Sequence, residues 1–187
     1  MVELTIAYCL LAIFFLLDTF LRKGKTAKSL EKTASDRKST LFLVITFFTV
    51  LFISAILNWF KIGSFSSEPI AILGLVLMAL GLFIRILSIR TLGKFYTRKL
   101  LTTDEQEVIQ KGIYKYIRHP GYLGTVVIWS SAGIAMQNLV ISIIATVLIL
   151  ISYYYRITSE EQMLVQTFGK KYSDYKNRSW HLLPFIW

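Results

Sequence analysis

The sequence predicts an all-α, polytopic membrane protein with five transmembrane helices, the last two forming a helical hairpin. Three observations carry that expectation. Of the 187 residues, 55% are hydrophobic and only 17% are charged, against about 45–50% and about 25% in soluble globular domains. Apolar runs of about 20 residues, the length that crosses a bilayer, recur along the chain. The basic residues gather in alternate connecting segments, the pattern that sets membrane topology. So much apolar surface excludes disorder. The excess of 21 Lys and Arg over 11 Asp and Glu lies between apolar runs, so it reads as topology and not as a nucleic-acid footprint.

The first run, Leu4 to Leu21, differs from a signal peptide: no basic segment precedes it, no small-residue cleavage site follows, and Asp18, Arg22 and Lys23 end it. Leu41 to Phe60 and Pro69 to Ile89 are the second and third spans. In the third, Ala71, Gly74, Met78 and Gly81 recur at helical spacing, and small residues let transmembrane backbones approach closely. The region Tyr122 to Tyr155 is too long for one span. Gln137-Asn138 break it into two short helices folded back on each other. Seven basic residues lie between spans one and two, eight between Arg85 and Arg118, and five at Arg156 and beyond, with Lys61 alone on the other side. The positive-inside rule therefore places the N-terminus outside and the C-terminus in the cytoplasm. Arg85 and Asp18, near cytoplasmic helix ends, are expected to snorkel or to pair with each other. The chain reads as one integral membrane domain over 1–187, with three N-terminal helices in 1–90 and a functional region in 91–187.

Five spans leave little mass outside, so chemistry belongs in the membrane or on its cytoplasmic face. Cys9 alone cannot make an internal disulfide. Two histidines, His119 and His181, are too few for the usual protein-built zinc site, and no metal is expected. In the segment ending Arg118-His119-Pro120-Gly121-Tyr122-Leu123-Gly124, Pro120 disfavours helix at His119. This turn reads equally as a cavity wall or as a capped interfacial loop anchored by Tyr114, Tyr116 and Tyr122. Arg156 and Glu160, four apart, share a helical face. Ser159, Glu160, Glu161 and Gln162 read as a capping box opening a new helix. Leu164, Phe168, Tyr172 and Tyr175 then form a stripe that carries this helix to about Lys176 and docks it, bringing Glu160 towards His119.

These residues resemble the isoprenylcysteine carboxyl methyltransferase family and its phospholipid methyltransferase relatives, from about Leu92 to Trp187. The likeness rests on Gly112-x-Tyr114-x-x-x-Arg118-His119-Pro120-x-Tyr122-x-Gly124, Arg156 with Glu160-Glu161, Phe168-Gly169-x-x-Tyr172-x-x-Tyr175, and Leu183-Pro184-Phe185-Ile186. It implies a cytoplasmic S-adenosylmethionine site without a Rossmann fold, and no Gly-rich loop in a βαβ pattern is found. By resemblance, Gln106, Glu107, Val108, Ile109, Tyr114, His119, Pro120, Gly121, Tyr122 and Glu160 contact the cofactor, with Lys99 or Leu100 as a further match. Family members commonly carry histidine or another polar residue where this chain has Gln106. Arg156 matches the arginine that holds the substrate's acceptor group.

A carboxylate acceptor is nucleophilic at neutral pH, and an arginine suits a bidentate hold on it. The expected acceptor is thus a lipid-like or prenylated small molecule with a carboxylate or another acidic oxygen. Two alternatives stand beside this reading. Membrane sterol reductases share the Arg-His-Pro-x-Tyr-x-Gly turn, which would make the chain an NADPH-dependent reductase. A non-catalytic membrane interaction protein would use the same residues structurally.

Overall fold

The computed structural model describes residues 2–20, 34–93 and 107–182. Gln106, Lys99, Leu100 and the Leu183 to Ile186 tail lie outside the described residues. Within them the chain is all-helical: α1 (Val2–Phe20), α2 (Ala34–Trp59), α3 (Glu68–Leu92), a 3-10 turn (Gly112–Lys115), α4 (Pro120–Ala135), α5 (Leu139–Phe168) and α6 (Lys170–Lys176). Three segments, Lys38–Trp59, Glu68–Leu92 and Leu139–Phe168, are long and apolar enough to cross a membrane. The apolar part of α1, Val2–Leu17, is shorter, as is α4 with its 16 residues.

The hairpin forms where the sequence placed it, but its arms are unequal, because α5 runs for 30 residues. The break is built by side chains. Gln137 takes a positive φ of 55°, and the Asn138 carboxamide oxygen caps α5 by accepting from the Ile141 N–H at 3.1 Å. The same side chain donates to the Ile62 carbonyl at 2.8 Å. Leu139 N–H donates to the Gly63 carbonyl at 3.1 Å, and Phe65 N–H to that of Gln137 at 2.8 Å. The α2–α3 and α4–α5 turns are thereby fastened together at one end of the bundle.

Two sequence expectations are corrected at the other end. No helix opens at Ser159: α5 passes straight through, and the Ser159 hydroxyl donates to the Tyr155 carbonyl one turn back at 3.1 Å. An uninterrupted helical ladder already occupies the N–H groups a capping box would serve. Nor does the helix continue to Lys176. Gly169, at φ 52°, ends α5, and α6 sets off in a new direction.

Packing centres on α3 against α4. A Cβ on Gly81 would fall 2.8 Å from the Gly124 carbonyl oxygen, and one on Gly124 would fall 2.7 Å from that of Gly81. The two backbones thus meet only because both residues are glycine. All four recurring α3 residues, Ala71, Gly74, Met78 and Gly81, are buried. Beside this seam Trp129 stacks on Phe47 at 5.0 Å and meets Phe14 edge-on at 6.2 Å. The outward faces carry exposed Phe48, Phe52, Val76 and Phe83, as lipid contact requires.

Candidate functional site

The site grows from the entry into α4. Residues 116–118 run beside Trp180: Trp180 N–H donates to the Tyr116 carbonyl and Arg118 N–H to the Trp180 carbonyl, each at 2.8 Å. His119 then leaves helical angles, with φ −123° and ψ 53°, and Pro120 opens α4, where a missing N–H costs nothing. The turn is held from inside the bundle by Arg85. This residue is only 7% exposed, and its Nη1 donates to the Gly121 carbonyl at 3.0 Å and to the Thr125 hydroxyl at 2.6 Å. Its guanidinium lies 4.9 Å from the Phe14 ring centre. The snorkelling expected of Arg85 is therefore corrected: it turns inward, where a backbone carbonyl and a hydroxyl accept from its Nη1.

The aromatic rings following the turn are stacked. His119 and Tyr122 are nearly parallel, with centres 5.5 Å apart, and Tyr122 stacks on Tyr153 of α5 at 4.5 Å. The Tyr122 hydroxyl donates to the Glu160 carboxylate at 2.6 Å. One turn before Glu160, Arg156 is buried, and its Nη1 donates to the Ser39 and Thr40 hydroxyls of α2 at 3.1 and 2.9 Å.

Glu160 does not meet His119. The neighbouring Glu161 does, accepting from His119 Nε2 at 3.2 Å and from Arg118 Nε at 2.8 Å. Lys176 Nζ lies 2.7 Å and His181 Nε2 3.4 Å from the same carboxylate. Successive residues point about 100° apart around a helix, so the pair divides between two neighbourhoods. Glu160 faces the aromatic stack, and Glu161 knots the α4 turn, α5, α6 and the C-terminal segment together. Arg118 strengthens the knot by donating from Nη1 to the Lys176 and Ser179 carbonyls. Burial pushes the His181 imidazole down to about 4, with Glu161 opposing the shift.

Of the other sequence-selected residues, Glu107 is exposed, and Val108 and Ile109 are half-buried ahead of the 3-10 turn. Tyr114 is buried. Its hydroxyl shares a hydrogen bond with Ser88 at 2.5 Å, and its carbonyl accepts from the Tyr175 hydroxyl at 2.6 Å. Tyr114 thus fastens the 3-10 turn to α3 and α6. Sequence reasoning missed Ser39, Thr40, Tyr153, Lys176 and His181. Tyr153 had a readable signal, at three residues before Arg156 on the same face, whereas Ser39 and Thr40 had none.

Residues 72–166 match the isoprenylcysteine carboxyl methyltransferase (ICMT) family model. The chain is 33% identical over 141 residues to protein-S-isoprenylcysteine O-methyltransferase of Dictyostelium discoideum, covering 73% of this chain and 59% of that protein. To the probable protein-S-isoprenylcysteine O-methyltransferase of Oryza sativa subsp. indica it is 34% identical over 120 residues, 63% of this chain and 62% of the relative. The matches thus span about three fifths of these relatives' lengths. Its fold is similar to that of the eukaryotic intramembrane Ras methyltransferase ICMT, with a TM-score of 0.67 at 21% identity, covering 95% of this chain and 64% of that one.

Proposed function

Because the chain belongs to the isoprenylcysteine carboxyl methyltransferase family, we propose that it is an integral membrane methyltransferase using S-adenosylmethionine. Its acceptor is a lipid-like molecule with a carboxylate, of the isoprenylcysteine type, or another acidic oxygen. The observation that carries this reading is the convergence of Arg156, Tyr122 and Glu160 where α4 begins and α5 leaves its apolar stretch.

The donor set suits that cofactor. Glu160 offers a carboxylate to an ammonium group or to ribose hydroxyls, and the stacked His119, Tyr122 and Tyr153 rings offer π faces to a sulfonium or an adenine. Gln106, Glu107, Val108, Ile109, Tyr114, Pro120 and Gly121 complete the residues assigned to hold it. When bound, the cofactor supplies an electrophilic methyl group. The chain's own contribution is orientation. Arg156, its Nη1 anchored by α2, presents a guanidinium in a fixed plane, the geometry that grips a carboxylate. An ionised carboxylate needs no base, so fixing its direction is the principal task.

In this reading α1 and α4 add two crossings to the three long spans, giving five in a single domain. The N-terminus is outside, and the C-terminus and the site face the cytoplasm. Acceptor lipids come from the bilayer.

The test is binding of S-adenosylhomocysteine to the detergent-purified chain, with NADPH in parallel. It is followed by methyl transfer to an S-prenylated cysteine derivative carrying a free carboxylate, and to its amide. Binding of the first ligand alone, with transfer only to the acid, is expected. Binding of NADPH alone would move the chain to the reductases, and binding of neither would make it non-catalytic.

A further inference from the structure

We propose that His119, Glu161 and His181 form a binding site for a divalent transition-metal ion of the zinc class, a clip tying the C-terminal segment to the α4 turn and α5. The site goes beyond methyl transfer but shares His119 with the residues assigned to the cofactor. The sequence held too few histidines to suggest a metal, yet the fold brings both of them to one carboxylate. Their ligand atoms and that of Glu161 all lie within 4.8 Å of one another. The separations from Glu161 Oε1 are 3.2 Å to His119 Nε2 and 3.4 Å to His181 Nε2. A tetrahedral zinc ion with bonds of about 2.0–2.1 Å needs ligand atoms roughly 3.3 Å apart, so only the histidine-to-histidine separation has to close.

Two cations face the same carboxylate, and the site accommodates both. Arg118 lies on Oε1, but its Nη1 keeps the Lys176 carbonyl at 3.0 Å and the Ser179 carbonyl when an ion takes that oxygen. Lys176 lies on Oε2 at 2.7 Å, with its side chain 35% exposed. It can remain as a partner of the ligating carboxylate or swing into water. The positive surroundings weaken the site without closing it. The ion has a path in, because Glu161 and His181 border a cavity of about 440 Å³ with Thr158, Gln162 and Lys176. Two imidazoles and one carboxylate with a position left for water are an ordinary donor set for zinc, and for cobalt, nickel or copper.

The experiment uses the chelator-treated, detergent-purified full chain titrated with Zn²⁺ against a chromophoric chelator, with Co²⁺ as the spectroscopic probe. One ion per chain is expected, with the intense visible Co²⁺ bands of a four-coordinate site and a higher unfolding temperature in Zn²⁺. His181→Gln should lower affinity at least about tenfold and abolish the thermal shift. Lys176→Met, which removes a competing cation, should tighten binding several-fold. No saturable binding to the wild-type chain, a Co²⁺ spectrum like that of the aqueous ion, or failure of Lys176→Met to tighten would each overturn the site. So would equal affinity in the wild type and a folded His181→Gln variant. The Co²⁺ spectrum of the wild type decides the matter if that variant does not fold.

Discussion

Replacing each member of the glutamate pair by glutamine, one at a time, should separate ligand binding from stability. Glu160 accepts from the Tyr122 hydroxyl at 2.6 Å. A glutamine carbonyl can accept that same bond, so Glu160→Gln should cost at most about 1 kcal/mol of stability. What the substitution removes is the negative charge offered to a ligand. A hydrogen bond to a charged group contributes about 1.5–3 kcal/mol, so S-adenosylhomocysteine affinity should fall roughly 13- to 160-fold. Glu161 is different, because its carboxylate, 9% exposed, lies between Arg118 at 2.8 Å and Lys176 at 2.7 Å. Taking the charge from one partner of a buried pair costs about 3–5 kcal/mol. For a chain of this size that corresponds to a fall of roughly 6–20 °C in unfolding temperature. Most of the loss belongs to Arg118, because the half-exposed Lys176 contributes at most about 1 kcal/mol. The assay is thermal unfolding of detergent-purified variants, with calorimetric titration of S-adenosylhomocysteine below the transition. Equal thermal losses in the two variants, or undiminished affinity in a folded Glu160→Gln, would refute the division of roles.

Arg156→Ala should lower methyl-transfer turnover far more than cofactor affinity, and equal losses of both would count against an acceptor-holding role. A cysteine at exposed Ser66, in a Cys9→Ala background, should be labelled by a membrane-impermeant thiol reagent from outside intact cells; protection there would invert the topology. Stability should fall with acidification through His181. Its pKa is depressed from 6.5 to about 4 in the fold, so its contribution is complete above about 6.5 and is lost as pH falls towards 4. The loss should show as a lower unfolding temperature at pH 5 than at pH 7. It should be absent in His181→Gln, and identical pH profiles of unfolding temperature would exclude it.

The membrane character and the hairpin break were legible because hydropathy and the Gln137-Asn138 interruption are local signals. What stayed hidden was pairing over long sequence separations. Nothing near Ser39 and Thr40 announces that they grip Arg156, 117 and 116 residues away. Ser159 to Gln162 carry the residue types of a helix start, yet the ladder of α5 overrides them. The assignment of Glu160 to His119 failed by one position, since the spacing of two acids shows that they diverge but not which one meets the turn. Arg85 was misread because a charge near a helix end usually reaches water, and only the fold reveals a carbonyl and a hydroxyl waiting inside.

The fastening of the two turns by Asn138 makes α2 and α5 behave as a pair of tongs. Their joined ends are pinned by the Ile62 and Gly63 carbonyls, and their tips meet where Ser39 and Thr40 touch Arg156. At about 1.5 Å of rise per residue, Arg156 sits about 27 Å from that pin. A tilt of about 2° around it displaces the guanidinium by about 1 Å, enough to carry bonds of 2.9 and 3.1 Å beyond hydrogen-bonding range. Lever length thus converts a slight splaying of two helices into release of Arg156 from its two hydroxyl partners on α2.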